Sequence, residues 1–177
     1  MLSRNRVVTT GRRRLLALLI LWLPLSGWAQ QVEVKLEGDY PELKTNAEAF
    51  IGEVEGRNAT NLRRYASTAV DQASKALRAL GYYEPRIDWR VEDGDSDDGA
   101  RLILTITPGE PVRVTSRTVE IRGAASRDSR FTDNLPKQPA EGDVLNHGHY
   151  NSLRDTIQTR ARQRGYFDGG FVEKSLT

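Results

Sequence analysis

Three short clusters in this 177-residue sequence hold residue types that could do chemistry. The acidic run Asp93-Gly-Asp-Ser-Asp-Asp-Gly99 has the oxygen density of a calcium loop. Such a loop needs glycine at its sixth position, for a sharp turn, and a bidentate acid at its twelfth. Counted from Asp93 those positions are Asp98 and Leu104, so the run reads as a solvated hairpin turn instead. His147 and His149 stand two apart in a polar stretch, with no cysteine in the chain and little carboxylate nearby. That is a weak metal signal, and the same residues sit comfortably before a helix. Asn58-Ala-Thr60 matches a glycosylation acceptor, a motif that recurs by chance and matters only in a eukaryotic secretory route. No serine has a recognisable histidine partner, no glycine loop cradles a phosphate, and no acid pair falls in a nameable apolar pocket. The expectation is a chain with no catalytic residues, metal or cofactor, although a site assembled from distant residues would leave no such pattern.

Composition narrows the classes further. Hydrophobic residues make up 38% and charged residues 28%, a globular balance unlike that of a disordered, collagenous or multi-span membrane chain. The lack of cysteine excludes disulfide scaffolds, zinc ribbons and thiol nucleophiles. The formal charge of +2 and isoelectric point near 9.0 suggest nucleic acid, but the basic excess is local. Residues 1–29 carry Arg4, Arg6, Arg12, Arg13 and Arg14 and no acid; without those five of the 26 basic residues, the balance becomes −3. The arginines precede an apolar run, Leu15 to Leu25, and then Ser26-Gly-Trp-Ala29. A positive region, a short apolar core and small residues at the last and third-last positions form a secretory signal, with cleavage expected after Ala29. Eleven apolar residues interrupted by Pro24 are too few for the span of about 20 that an anchor needs. The mature chain is then mildly acidic and exported.

Hydrophobic periodicity supplies the elements of the mature chain. Val32-Glu-Val-Lys-Leu36 alternates as a strand with one buried face, closed by Gly38. Leu43, Ala47, Phe50, Ile51 and Val54 have helical spacing. A longer helix carries Leu62, Ala66, Ala69, Val70, Ala73, Ala76, Leu77 and Leu80 on one face and ends at Gly81. Ile87 to Val91 and Leu102 to Ile106 alternate around the acidic turn and read as an antiparallel hairpin. Pro108-Gly-Glu-Pro111 stops the unit. The order is β-α-α-β-β.

The pattern then recurs. Val34-Lys-Leu-Glu-Gly38 returns as Val119-Glu-Ile-Arg-Gly123, 85 residues on, and Gly81-Tyr-Tyr-Glu84 returns as Gly165-Tyr-Phe-Asp168, 84 residues on. Tyr150, Leu153, Ile157 and Ala161 make a second helical stripe between them. Such self-similarity marks tandem units, expected at 30–108 and 109–177. Phe171 to Leu176 correspond to the strand at 87–91, so the sequence stops before the second unit's last strand and reads as a fragment or a truncated frame. The recurring motif has a structural explanation: glycine permits the left-handed residue that ends the helix, and the paired aromatics (Tyr82 and Tyr83, Tyr166 and Phe167) tuck over the seam between helix and sheet.

An exported tandem of this kind resembles the POTRA domains that precede outer-membrane barrels. The resemblance narrows through Ala76-Leu-Arg-Ala-Leu-Gly-Tyr-Tyr-Glu-Pro85, Thr107-Pro-Gly-Glu-Pro-Val112, Gly142-Asp-Val-Leu-Asn-His147 with Tyr150, and Arg164-Gly-Tyr-Phe-Asp168. Four such pieces in order are similar to the N-terminal POTRA region of the TamA family, the outer-membrane subunits of the translocation and assembly module. The resemblance covers about residues 31–177. It implies an α+β fold of tandem POTRA repeats, each a three-stranded mixed sheet covered by two helices, the second truncated. It also implies a non-enzymatic role at the periplasmic face of the outer membrane, in biogenesis of outer-membrane proteins and autotransporters. The implied partners are a TamB-like, inner-membrane-anchored periplasmic protein and unfolded client proteins. Members of the family continue through a third POTRA domain into a barrel, which this sequence does not reach.

In that fold the strand after the long helix lies at a sheet edge, here Ile87, Asp88, Trp89, Arg90 and Val91. An edge can add a partner strand through main-chain hydrogen bonds, with Asp88 and Arg90 outward and Ile87, Trp89 and Val91 toward the core. Charged residues on an edge also discourage pairing, so a merely solvated edge fits the same residues. Two other classes stand beside this reading. One is the POTRA module of a two-partner secretion transporter or a division protein, the latter carrying a single such domain behind a true membrane span. The other is a small periplasmic enzyme, which would need a credible site.

Overall fold

The computed structural model describes residues 31–54, 57–94 and 99–174. The expected signal at 1–29, the centre of the acidic turn at 95–98 and the last part of the 171–176 segment lie outside these residues. The first unit contains β1 (Val32–Leu36), α1 (Pro41–Ile51), α2 (Ala59–Ala79), β2 (Arg86–Glu92) and β3 (Arg101–Thr107). The sheet order is β1-β3-β2, with β1 parallel and β2 antiparallel to β3. This is the expected three-stranded mixed sheet under two helices.

Each element forms for a local reason. Proline opens α1, where its fixed backbone suits the first turn and its missing N–H is no loss. Asn58 caps α2 by accepting from the N–H of Asn61. The buried stripe of α2 is Leu62, Ala66, Ala69, Ala73, Ala76 and Leu77. Its alanines bring the helix axis close to Leu102, Leu104 and Ile106 of β3, all fully buried. The polar Gln31 is buried as well. Its Nε2 donates to the Arg57 carbonyl and its Oε1 accepts from the Arg57 N–H, tying the α1–α2 loop to the start of β1.

On the other face of the sheet Ile103 is 1% exposed, with Glu33 and Arg90 on either side in register. Glu33 pairs with Lys35 and Arg90 with Glu92 along their own strands. Charged side chains with long aliphatic stems thus shield one apolar residue in the middle of a solvent-facing sheet.

Three first-unit expectations need correction. Helix α1 ends at Ile51, so Val54 reaches the core from the loop beyond, and Phe50 stands exposed. Trp89 shares the inward face with Ile87 and Val91, yet it stays 47% exposed, because among the described residues no strand lies beyond β2 to cover so large a ring.

The second unit departs further. It comprises a 3-10 turn (Gly123–Arg127), the short helix α3 (Ser129–Thr132) and α4 (His147–Gln163). Neither 119–123 nor 171–174 forms a strand, so among the described residues the expected second sheet is absent. The physical reason follows from the first unit, where β1 pairs with β3 alone. Nothing described occupies β3's place beside 119–123, and a strand needs a partner for its backbone. Side chains hold this unit instead. The Arg160 guanidinium donates to the carbonyls of Phe131, Asp133 and Asn134, clamping the end of α3. Asp128 pairs with Arg164 and accepts from the Tyr166 hydroxyl, and Phe131 meets the Tyr166 ring edge-on at 5.6 Å.

Candidate functional site

Two features carry the functional argument, the free edge of β2 and the seam between the units. In a strand each residue sends its N–H and C=O to one side, and successive residues alternate. Leu102 N–H donates to the Gln31 carbonyl, and the Ile106 carbonyl accepts from Glu37 N–H, so the even residues of β3 face β1. Its odd residues therefore face β2, where their register partners are Arg86, Asp88, Arg90 and Glu92. The backbone groups left pointing off the sheet belong to Ile87, Trp89 and Val91. These three also carry the apolar side chains on the helix side, with the Trp89 indole partly bare beside the open donors and acceptors. Asp88 and Arg90, on the opposite face, spend their backbone groups on β3. The structure thus brings the five expected edge residues together and divides them: three offer the edge and two hold the strand.

At the seam, Gly81 is more than a helix terminator. Its N–H donates to the Arg78 carbonyl and the Tyr82 N–H to that of Leu77, the double bond of a Schellman turn, with φ at +91°. Gly165 and Tyr166 repeat this on Arg162 and Ala161, with φ at +80°. The surroundings differ. A Cβ at Gly81 would meet the Leu145 carbonyl oxygen at 2.5 Å, whereas one at Gly165 would meet nothing within 4 Å. Gly81 is the point where the backbone of the second unit presses on the first. Its carbonyl accepts from Val112 N–H, and the Val112 carbonyl accepts from Leu145 N–H. Val114 exchanges bonds with Asp143 and Gly142 to lengthen this small ladder.

The aromatics follow the same division. Tyr82 packs against the core and meets the Tyr40 ring edge-on at 6.2 Å. Burial holds its phenol above the ordinary tyrosine pKa, with Tyr40 and Glu42 adding to the shift and Arg113 opposing it. Tyr83 leaves the expected seam of helix and sheet and reaches the second unit, where its hydroxyl meets His147 Nε2. His147 and His149 lie in the first turn of α4 rather than before it. In the second unit Tyr166 is packed, but Phe167 is 78% exposed instead of tucked. The sequence reading missed the junction role of Val112, Val144 and Leu145. Their only signal was the Val-x-Val and Val-Leu pattern flanking a long polar loop.

A β-α-α-β-β unit with sheet order β1-β3-β2 has the architecture of a POTRA domain. Residues 33–108 match the family model described as POTRA domain, TamA domain 1, so the first unit is similar to that domain. Among solved structures the chain is similar to POTRA1-3 of the periplasmic domain of Omp85 from Anabaena, at 17% identity and a TM-score of 0.38. That alignment covers 82% of this chain and 54% of the other, so the chain spans about half the length of the structure it matches.

Proposed function

We propose that this chain is a periplasmic docking module of an outer-membrane protein assembly or translocation factor, acting through protein–protein contacts and not as an enzyme. On this reading residues 1–29 direct export, and the first POTRA domain adds a strand from its partner along β2. The partner class is a TamB-like periplasmic protein or an unfolded outer-membrane client, autotransporters included. The observation that carries the reading is the edge of β2, where Ile87, Trp89 and Val91 have main-chain groups unpaired among the described residues, next to an exposed indole. Main-chain bonds supply affinity in this mode, and side chains on alternate positions supply selection. The match of residues 33–108 to a TamA domain favours this class over a secretion transporter or a division protein.

The register gives a sharp test. Proline at Trp89 removes an outward donor but no ladder bond, while Trp89→Ala removes the ring and keeps the donor. Binding of the purified periplasmic part of a TamB-like protein, measured by surface plasmon resonance, should fall below detection for Trp89→Pro and weaken about tenfold for Trp89→Ala. Equal binding by both variants and the parent chain would sink strand addition at β2.

A further inference from the structure

A cleft of about 580 Å³ runs between the two units. One wall is the β1–α1 turn with Asp39, Tyr40 and Glu42, together with Tyr82; the other is the start of α4 and the loop before it, with Asp143 and His149. We propose that this cleft is a docking site for an extended polypeptide segment that inserts an arginine or lysine side chain between the two tyrosine rings and the three carboxylates. It is distinct from the β2 edge and does not depend on strand addition there.

Charge decides the class of occupant. Helices α1 and α4 both begin at the cleft, and each start contributes about half a positive charge. Three carboxylates outweigh that, and among the described residues no lysine or arginine lines the space. Arg113, which acts on Tyr82 electrostatically, donates to the neutral Gly142 carbonyl at 2.9 Å and keeps its charge, but three carboxylates still exceed that one charge and the two helix starts together. One oxygen of Asp143 accepts from Ala140 N–H, leaving the other carboxylate positions for a ligand. Tyr40 is 40% exposed, and it meets Tyr82 edge-on, so a cation entering the cleft finds an aromatic face beside its counter-charges.

The test titrates the purified full chain with a short capped Gly-Ser peptide carrying two arginines, followed by amide chemical shifts. The expected result is a set of shifts at Asp39 to Leu43 and Val144 to His149, with affinity about tenfold lower in Asp39→Asn/Glu42→Gln. Both positions are exposed, so the double variant keeps its fold. An equal loss from Glu53→Gln/Glu110→Gln, exposed acids away from the cleft, would reduce the effect to diffuse charge attraction and overturn the site. So would the same shifts with glutamates in place of the arginines, or no shifts at millimolar peptide. Shifts confined to Ile87–Val91 would also overturn the cleft while leaving the β2 reading intact.

Discussion

Gly81 and Gly165 occupy the same place in two copies of one motif, which separates backbone conformation from packing. Both sit at positive φ, so alanine at either pays the left-handed strain, roughly 1 kcal/mol. Only at Gly81 does the new methyl strike a carbonyl of the other unit. Gly81→Ala should therefore cost about 2 to 4 kcal/mol and Gly165→Ala about 1, measured by urea unfolding. Equal losses would show that the contact of Gly81 with Leu145 contributes nothing. Tyr82 makes a second residue-scale prediction. Its pKa is raised in the fold, so the neutral phenol is favoured there more than in the unfolded chain. Its contribution is fully present below the unfolded value, near 10, and is lost as pH climbs toward the folded value. Tyr82→Phe should flatten the alkaline fall in stability above about pH 10 and leave the neutral range little changed, apart from a constant offset.

At the scale of elements, α2 and β3 dominate. Leu62, Leu77, Leu102, Leu104 and Ile106 are all fully buried between them. Leu104→Ala should cost about 2 to 5 kcal/mol, since a hole opens in the central strand with no loop able to collapse into it. Phe131 plays the matching part in the second unit, where it packs on Tyr166 beneath the Arg160 clamp. The stripe on α2 was legible because alanine and leucine repeat at helical spacing over 21 residues. The strand expected at 119–123 was legible as a pattern, Val-Glu-Ile-Arg-Gly, and still did not form. Alternation states which face a strand would bury and does not supply the neighbour that pairs its backbone.

For the molecule as a whole, the seam makes the two units mechanically dependent in one direction. The second unit leans on Gly81 and Tyr83 through its Val112, Leu145 and His147, while the first has its own closed core. Hydrogen exchange should be slowest in β3 and α2 and faster throughout 113–174. Phe131→Ala should speed exchange in the second unit and leave β3 unchanged. Leu104→Ala should release both. If Phe131→Ala speeds β3 equally, the dependence is mutual and this ordering fails.

Sequence alone determined the elements of the first unit, its β-α-α-β-β order and the recurrence of its closing motif, because these rest on local periodicity and on what glycine permits. It also determined that Ile87 to Val91 would alternate. Tertiary structure decided which of those residues offer the edge, since that depends on which side of β3 each partner's N–H faces. It left Trp89 half bare, since among the described residues no strand lies beyond it. It turned Tyr83 toward His147 and left Phe167 in solvent, although the two occupy equivalent positions. And it set Asp39, Tyr40 and Glu42 opposite Asp143 and His149, residues about 100 apart in the chain whose meeting depends on how the two units dock at Gly81.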